Sequence, residues 1–366
     1  MTKKIKIAFT IPNFDTAGSG KVVYDLVKGL DPKRFEAHIC CTHSRGAFFK
    51  EVKALGVPIH EFAFYTSYRP YLTLPLRIYR ISRFFKRQHF DIIHSWHWSS
   101  DITEPLAAKL AGIPFVYTKK AMGWGNKAWR WRSQLSSHII AINTDMMQQF
   151  FKKLAHKTSY IPLGVDTDYF MPLEKCYKSP EGLQFSKSDF VIVSVANLVP
   201  VKGIELLLEA VEQLNDPNIK VLIVGDDQNA YGTELKERYA NPCVFFVGKQ
   251  LDVRPYLALA DVFVIPTKDE GRKEGLPIAP LEAMACERVV IGSTISGIKD
   301  ILLPFQDCLF EAGNHSELMK YILRIKALSQ TQRNAIAYSM RSYVQNEFSI
   351  DAFIVQYAKF YKTLVK

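Results

Sequence analysis

The sequence has no run of about 18 apolar residues, the length at which a helix begins to span a bilayer, so no membrane span is expected. Its opening, Met1 to Ile11, is basic, but the apolar part is short and lacks a small-residue cleavage site. A first β-strand is expected there, not a signal peptide. Cysteine is scarce and scattered. Cys40, Cys41, Cys176, Cys243, Cys286 and Cys308 show no metal-ligand spacing and suit buried thiols in a reducing cytoplasm. Internal repeats and low-complexity tracts are missing. So are the common nucleotide fingerprints. Gly18-Ser-Gly20-Lys-Val-Val23 lacks the third glycine of a nicotinamide-binding turn, and a Walker A loop would need glycine at Asp15 and Ser or Thr at Val22. Acidic residues are the minority, 36 against 47 basic, which leaves a net charge of +11. Nucleic acid, an anionic membrane surface and phosphorylated substrates are all eligible partners, and plain solubility explains the total equally well.

What is present is a chain of 366 residues, 48% hydrophobic and 23% charged. That is ordinary for a water-facing globular protein and long enough for two cores. Strand-like runs alternate with helical ones: Ile5–Ile11, Ala37–Thr42, Asp91–His94, Phe115–Thr118 and Ile139–Ile142. The pattern restarts with Phe190–Val195, Val221–Val224, Val244–Val247, Val262–Ile265 and Val289–Ile291, after a polar linker from Met171 to Asp189. Alternation of this kind predicts α/β architecture with two doubly wound parallel sheets.

The most informative segment is Glu274-Gly-Leu-Pro-Ile-Ala-Pro-Leu-Glu282-Ala-Met-Ala285. It follows the strand Val262–Ile265 and a polar loop. Pro277 and Pro280 fit a helix start, whose first N–H groups have no intrahelical partner. A helix from Leu276 would therefore offer amides to an anion. Carboxylates cannot pair with phosphate, so Glu274 and Glu282 point to hydroxyls. Hydroxyls beside a phosphate describe a nucleotide sugar. Glu282 lies in an apolar setting where an unpaired buried carboxylate would cost several kcal/mol.

This segment closely resembles the Glu-x7-Glu signature of retaining family-4 glycosyltransferases, which have the GT-B fold of two Rossmann-like domains. Val193-Ser-Val-Ala-Asn-Leu-Val-Pro-Val-Lys-Gly203 is similar to the family's strand and Lys-Gly loop. Ile161–Phe170, Val221–Asp226, Val247–Asp252 and Ser296–Asp300 also match in order and spacing. The resemblance implies an amino-terminal acceptor domain, residues 1–165, and a nucleotide-sugar donor domain, residues 166–350. A carboxy-terminal helix, 351–366, would cross back to the first. It further implies that Glu274 contacts the transferring sugar, that Glu282 holds the ribose hydroxyls, and that Lys202 holds the diphosphate. Gly275, Leu276 and Pro277 would line the donor site, and Gly248 the base pocket. An arginine usual in the family is replaced by Asn197, which can still donate a hydrogen bond. Gly18 and Gly20 resemble the family's glycine-rich loop, expected to run from Asn13 to Lys21 before a helix from Val22. The family's His-x-His at the end of the third strand becomes His94-Ser-Trp96-His97. Either His97 takes the second histidine's role by a small shift or the role is lost.

The donor expected is a UDP- or GDP-sugar, and the acceptor a glycan or lipid-linked glycan of bacterial surface polysaccharide assembly. No metal is expected, because amides and Lys202 would offset the diphosphate charge. Asp166-Thr-Asp168 mimics a metal signature but reads better as a turn cap. No nucleic-acid partner is expected. A cytoplasmic protein is expected, peripheral on the inner face of the membrane. Rival readings are a GT-B nucleotide-sugar epimerase and a basic nucleic-acid binder.

Two further features concern the acceptor. Leu74, Ile78, Ile81 and Phe85 form one apolar helical stripe, with Arg77, Arg80, Arg83, Lys86 and Arg87 around it. Residues 74–87 are either a core-packed helix with a solvated basic face or a patch for anionic lipid. All five tryptophans lie between Trp96 and Trp131. Residues 119–132, with Trp124, Trp129 and Arg130 among interleaved Lys119, Lys120, Lys127 and Arg132, predict a mobile acceptor loop.

Overall fold

The computed structural model describes residues 3–15, 17–46, 48–124, 126–175, 177–271 and 274–365. The chain divides into two compact units, Met1–Leu163 with Ile350–Lys366, and Gly164–Ser349. The first is built on β1 (Ile5–Thr10), β2 (Phe35–Cys41), β3 (Ile59–Glu61), β4 (Ile92–Ser95), β5 (Phe115–Lys119), β6 (His138–Ala141) and β7 (Thr158–Tyr160). They pair in parallel in the order β3-β2-β1-β4-β5-β6-β7. Parallel neighbours need crossovers, and the helices that make them cover the sheet. Strands covered on both faces must be apolar on both, and Phe9, Ile39, Ile92, Ile93, Val116, Ile139 and Ile140 are wholly buried.

The helix Ile350–Leu364 belongs to this unit, and four aromatics hold it there: Phe353, Tyr357, Phe360 and Tyr361 are buried. The Tyr361 hydroxyl lies 2.6 Å from His94 Nδ1, and His94 Nε2 lies 2.9 Å from Thr118 Oγ1. The Tyr357 hydroxyl meets Thr118 Oγ1 at 3.1 Å. Every polar atom of this buried set is therefore partnered, as burial demands.

The second unit holds β8 (Phe190–Val195), β9 (Ile219–Val224), β10 (Val244–Phe246), β11 (Val262–Ile265), β12 (Val289–Ser293) and β13 (Leu309–Phe310), in the order β10-β9-β8-β11-β12-β13. All its pairs are parallel. In each sheet the strand order reverses once, between β1 and β4 and between β8 and β11. Such reversals open a crevice at the carboxyl ends of the strands, where ligands of open α/β sheets bind.

The sequence-based strands recur, and β3, β7 and β13 are additions. Each is a short strand at or next to a sheet edge, with too few residues to show a pattern. Among its described residues the stretch Met171 to Asp189 holds no helix or strand, only an isolated bridge between Lys178 and Gln184. Cys40, Cys41, Cys286 and Cys308 are buried thiols as expected; Cys243 is half-exposed, a correction, and Cys176 lies outside the described residues.

Candidate active site

The reversal in the second sheet brings two loops together. After β8 the chain reaches Gly203, which caps the helix Ile204–Leu214 at φ +64°. A Cβ on Gly203 would fall 2.2 Å from the carbonyl oxygen of Pro266, just past β11, so only glycine fits. Lys268 N donates to Val201 O at 2.8 Å across the same contact. With the loops so close, Lys202 Nζ donates to Glu274 Oε1. Glu274 Oε2 is buried without a hydrogen-bond partner. Lys202 and Glu274 were expected to hold a diphosphate and a sugar respectively; here they hold each other.

Gly275, Leu276 and Pro277 are buried beneath the turn at Gly297, where a Cβ would sit 2.2 Å from Gly275 O. Gly297 takes φ +82°. The helix begins at Ala279, not at Leu276 as expected, and ends at Ala285. Glu282 consequently lies in its first turn. Burial alone pushes its carboxyl up to about 7, with no cation or donor among the described residues to offset the lost hydration.

An open cavity of about 390 Å³ lies at the carboxyl ends of β8 and β9, lined by Asn197, Gly225, Asp226, Lys249, Gln250 and Val253 among others. That volume is within the range of small-ligand sites. Asn197 is exposed there; Gly248, expected in the base pocket, does not line the cavity but accepts a bond from the lining Gly225 N at 2.9 Å. Two acids of this unit are already occupied. Asp227 pairs with Lys236 at 2.6 Å. Asp166 Oδ1 accepts from the amides of Asp168 and Tyr169 at 3.1 and 2.9 Å, a turn cap. Among the described residues no cluster of His, Cys, Asp or Glu could hold a metal ion.

At the β1/β4 reversal of the first sheet, Gly18 and Gly20 lie in a helix, Ala17–Gly29, which starts five residues earlier than expected. Thr16 of that loop lies outside the described residues. Gly20 is closely packed, since a Cβ there would approach Phe14 Cδ1 to 3.0 Å, whereas Gly18 has open space. His97 is buried against Tyr65, with ring centroids 4.3 Å apart, and its Nδ1 has no partner. Burial, aided by Arg132 and Lys120, lowers its pKa to about 3, so the ring is neutral near pH 7. His94 and Trp96 are wholly buried.

Sequence similarity supplies the remaining observation. The family profile described as "Glycosyltransferase Family 4" matches residues 16–169, and "Glycosyl transferases group 1" matches residues 178–342. The N,N'-diacetylbacillosaminyl-diphospho-undecaprenol alpha-1,3-N-acetylgalactosaminyltransferase of Campylobacter jejuni is 23% identical over 93% of this chain and 94% of its own. The capsular polysaccharide biosynthesis glycosyltransferase CapH of Staphylococcus aureus is 24% identical over 92% and 96%. In fold, a glycosyltransferase from Rickettsia africae superposes with TM-score 0.82 over 99% of both chains at 19% identity. Anabaena Alr3699/HepE, solved with UDP and glucose, gives 0.76 at 20% identity over 98% of this chain and all of its own. The chain is a family-4 glycosyltransferase with the GT-B fold.

In this glycosyltransferase the segment expected as a mobile acceptor loop is tied down. Gly125 lies outside the described residues, but Trp124 stacks on Trp129 at 4.8 Å, and both meet Phe150 edge-on. Lys119 Nζ sits 3.8 Å over Trp124 and donates to Gly123 O at 2.6 Å. Trp129 opens the helix Trp129–Leu135, with exposed Arg130 beside it. The exposed indoles of the transferase are Trp98 and Trp131, 55% and 63% accessible.

Arg132, expected among the loop cations, is fully buried. It donates to Glu104 Oε2 at 3.0 Å, Ser95 Oγ at 2.8 Å and Asp101 O at 2.7 Å. Lys120, read only as a loop cation, projects from the end of β5 to Ser19 Oγ and Trp96 O, at 2.8 and 2.5 Å. Burial, with Arg132 and Lys119 nearby, lowers its pKa to about 7. The available signal was a lysine directly after a parallel strand.

Proposed function

We propose that this glycosyltransferase moves a hexose from a UDP- or GDP-sugar, with retention, to a lipid-linked or glycan acceptor in bacterial surface polysaccharide assembly. The second unit takes the donor and the first takes the acceptor. The observation that carries the reading is the pairing of Lys202 with Glu274 at the β8/β11 reversal, with Glu282, in the helix that follows, left without a partner among the described residues. Lys202 receives the departing diphosphate as a point charge, and Glu274, released from it, turns to the sugar. Glu282 accepts from the ribose hydroxyls, and the cavity wall at Asn197, Lys249 and Gln250 takes the rest of the nucleotide. His97, neutral, serves as a hydrogen-bonding group and not as a cation.

The acceptor class rests on the relatives. The Campylobacter jejuni enzyme's name specifies a diphospho-undecaprenol substrate. An undecaprenol carrier resides in the membrane, so the protein works in the cytoplasm as a peripheral protein on the inner membrane face.

A melting-point panel of UDP-, GDP- and ADP-sugars tests the donor half. One nucleotide series raises the melting point of the wild type, and Lys202→Ala removes that rise. A panel in which no nucleotide sugar moves the transition would refute the assignment.

A further inference from the structure

The helix Leu74–Arg87 has two apolar faces, and the fold uses only one. Ile81 and Phe85 are buried, with Leu74 and Ile78 half-buried, against the helix Thr103–Ala111. That is the stripe visible in the sequence. A second set lies outside the core. Leu72 is 97% exposed, Tyr71 65%, Leu76 51% and Tyr79 48%. Leu76, Tyr79, Arg80, Arg83 and Arg87 recur at three- and four-residue intervals and so share an outward face. Arg80, Arg83, Lys86 and Arg87 are all exposed. Between Phe62 and Phe90 there is no aspartate or glutamate, so nothing in this segment neutralises them. Arg83 lies 5.9 Å from the Tyr79 ring and Arg69 5.9 Å from the Tyr71 ring, which intermixes cation and aromatic. Arg77 is set apart: it donates to Thr66 Oγ1, Ser67 O and Pro70 O at 2.8, 2.6 and 2.8 Å, fixing the turn that presents Tyr71 and Leu72.

We propose that Tyr71–Arg87 is a docking surface for an anionic phospholipid bilayer. Tyr71, Leu72, Leu76 and Tyr79 enter the boundary between headgroups and acyl chains, and Arg80, Arg83, Lys86 and Arg87 lie on the lipid phosphates. The inference deepens the lipid-linked-acceptor reading by naming the partner and the residues that meet it. Charge complementarity selects the sign of the surface, and the leucines select its kind. A nucleic-acid backbone would satisfy the arginines but leave Leu72 and Leu76 in water, whereas a bilayer takes up both sets.

The test is co-sedimentation of the full chain with phosphatidylcholine vesicles, with and without phosphatidylglycerol, at low and high salt. All substituted residues are exposed, and the melting point checks that each variant folds. The wild type sediments with the anionic vesicles and is released by high salt. Arg80→Ala/Arg83→Ala weakens partition by about 30-fold, at roughly 1 kcal/mol for each surface cation. Leu72→Ser/Leu76→Ser weakens it by about tenfold or more. Three results would overturn the proposal: no sedimentation of a preparation that nucleotides still stabilise, equal binding by all variants, or tighter binding to duplex DNA than to vesicles. Vesicle binding by a preparation that no nucleotide stabilises would support the surface while removing the donor reading.

Discussion

Lys202 Nζ donates a hydrogen bond to Glu274 Oε1 across the crevice where the strand order of the second sheet reverses. The pair is part-buried and joins loops that follow two different strands. On the proposed donor reading, a diphosphate arriving at Lys202 would compete with Glu274 for the same ammonium group.

That competition sets the first prediction. Glu274→Gln frees Lys202, so UDP alone binds several-fold more tightly to the variant than to the wild type, while sugar transfer falls at least about 100-fold. Lys202→Ala loses both. Titration calorimetry with UDP and a transfer assay read the two effects separately. Weaker UDP binding by Glu274→Gln would show that the carboxylate does not restrain the lysine.

Glu282 gives a pH prediction. Its folded pKa of about 7 lies above the ordinary carboxyl value of 4.5. The native state therefore holds the proton more strongly than the unfolded chain does. The resulting stability is complete below pH 4.5 and is lost as pH rises through about 7, an effect of up to about 3 kcal/mol. Glu282→Gln flattens that decline, measured by urea unfolding at pH 5 and pH 8. Hydroxyls donating to Glu282 would favour its charged form, so nucleotide binding near pH 6 releases a proton. Calorimetry in buffers of different ionisation enthalpy detects the release.

The Arg132–Glu104 pair is buried on both sides. Arg132→Met leaves Glu104 without its cation and destabilises the first unit by about 3–5 kcal/mol, since an orphaned buried charge keeps its full desolvation cost. Adding Glu104→Gln recovers much of that loss. Denaturant midpoints of the two variants decide the matter, and equal midpoints would remove the ion pair from the account.

Two glycines should behave in opposite ways. Gly203→Ala meets Pro266 O and a left-handed φ, so the β8 and β11 loops must part and transfer is lost together with stability. Gly18→Ala meets open space in a helix and stabilises by about 0.5–1 kcal/mol. Lost transfer in that more stable variant would assign Gly18 to ligand contact; unchanged transfer would clear it.

The residue pattern alone determined the alternation of strands and helices, the two-sheet α/β class and the likeness to family 4, because these follow from local periodicity and from motifs contiguous in the chain. Lys202, Glu274 and Glu282 could be singled out as candidates for the same reason. Only the tertiary structure decided what each side chain faces. Glycines discourage helix in isolation, yet the helix Ala17–Gly29 includes Gly18 and Gly20, where Gly20 admits Phe14. Either proline of the Glu274–Ala285 segment can begin a helix; the turn at Gly297, packed on Gly275, leaves the start to Ala279. Arg132 and Arg130 are neighbours of like charge, but one is enclosed with Glu104 and the other is in water. Burial is a property of elements brought together from distant parts of the chain, and no local pattern contains it.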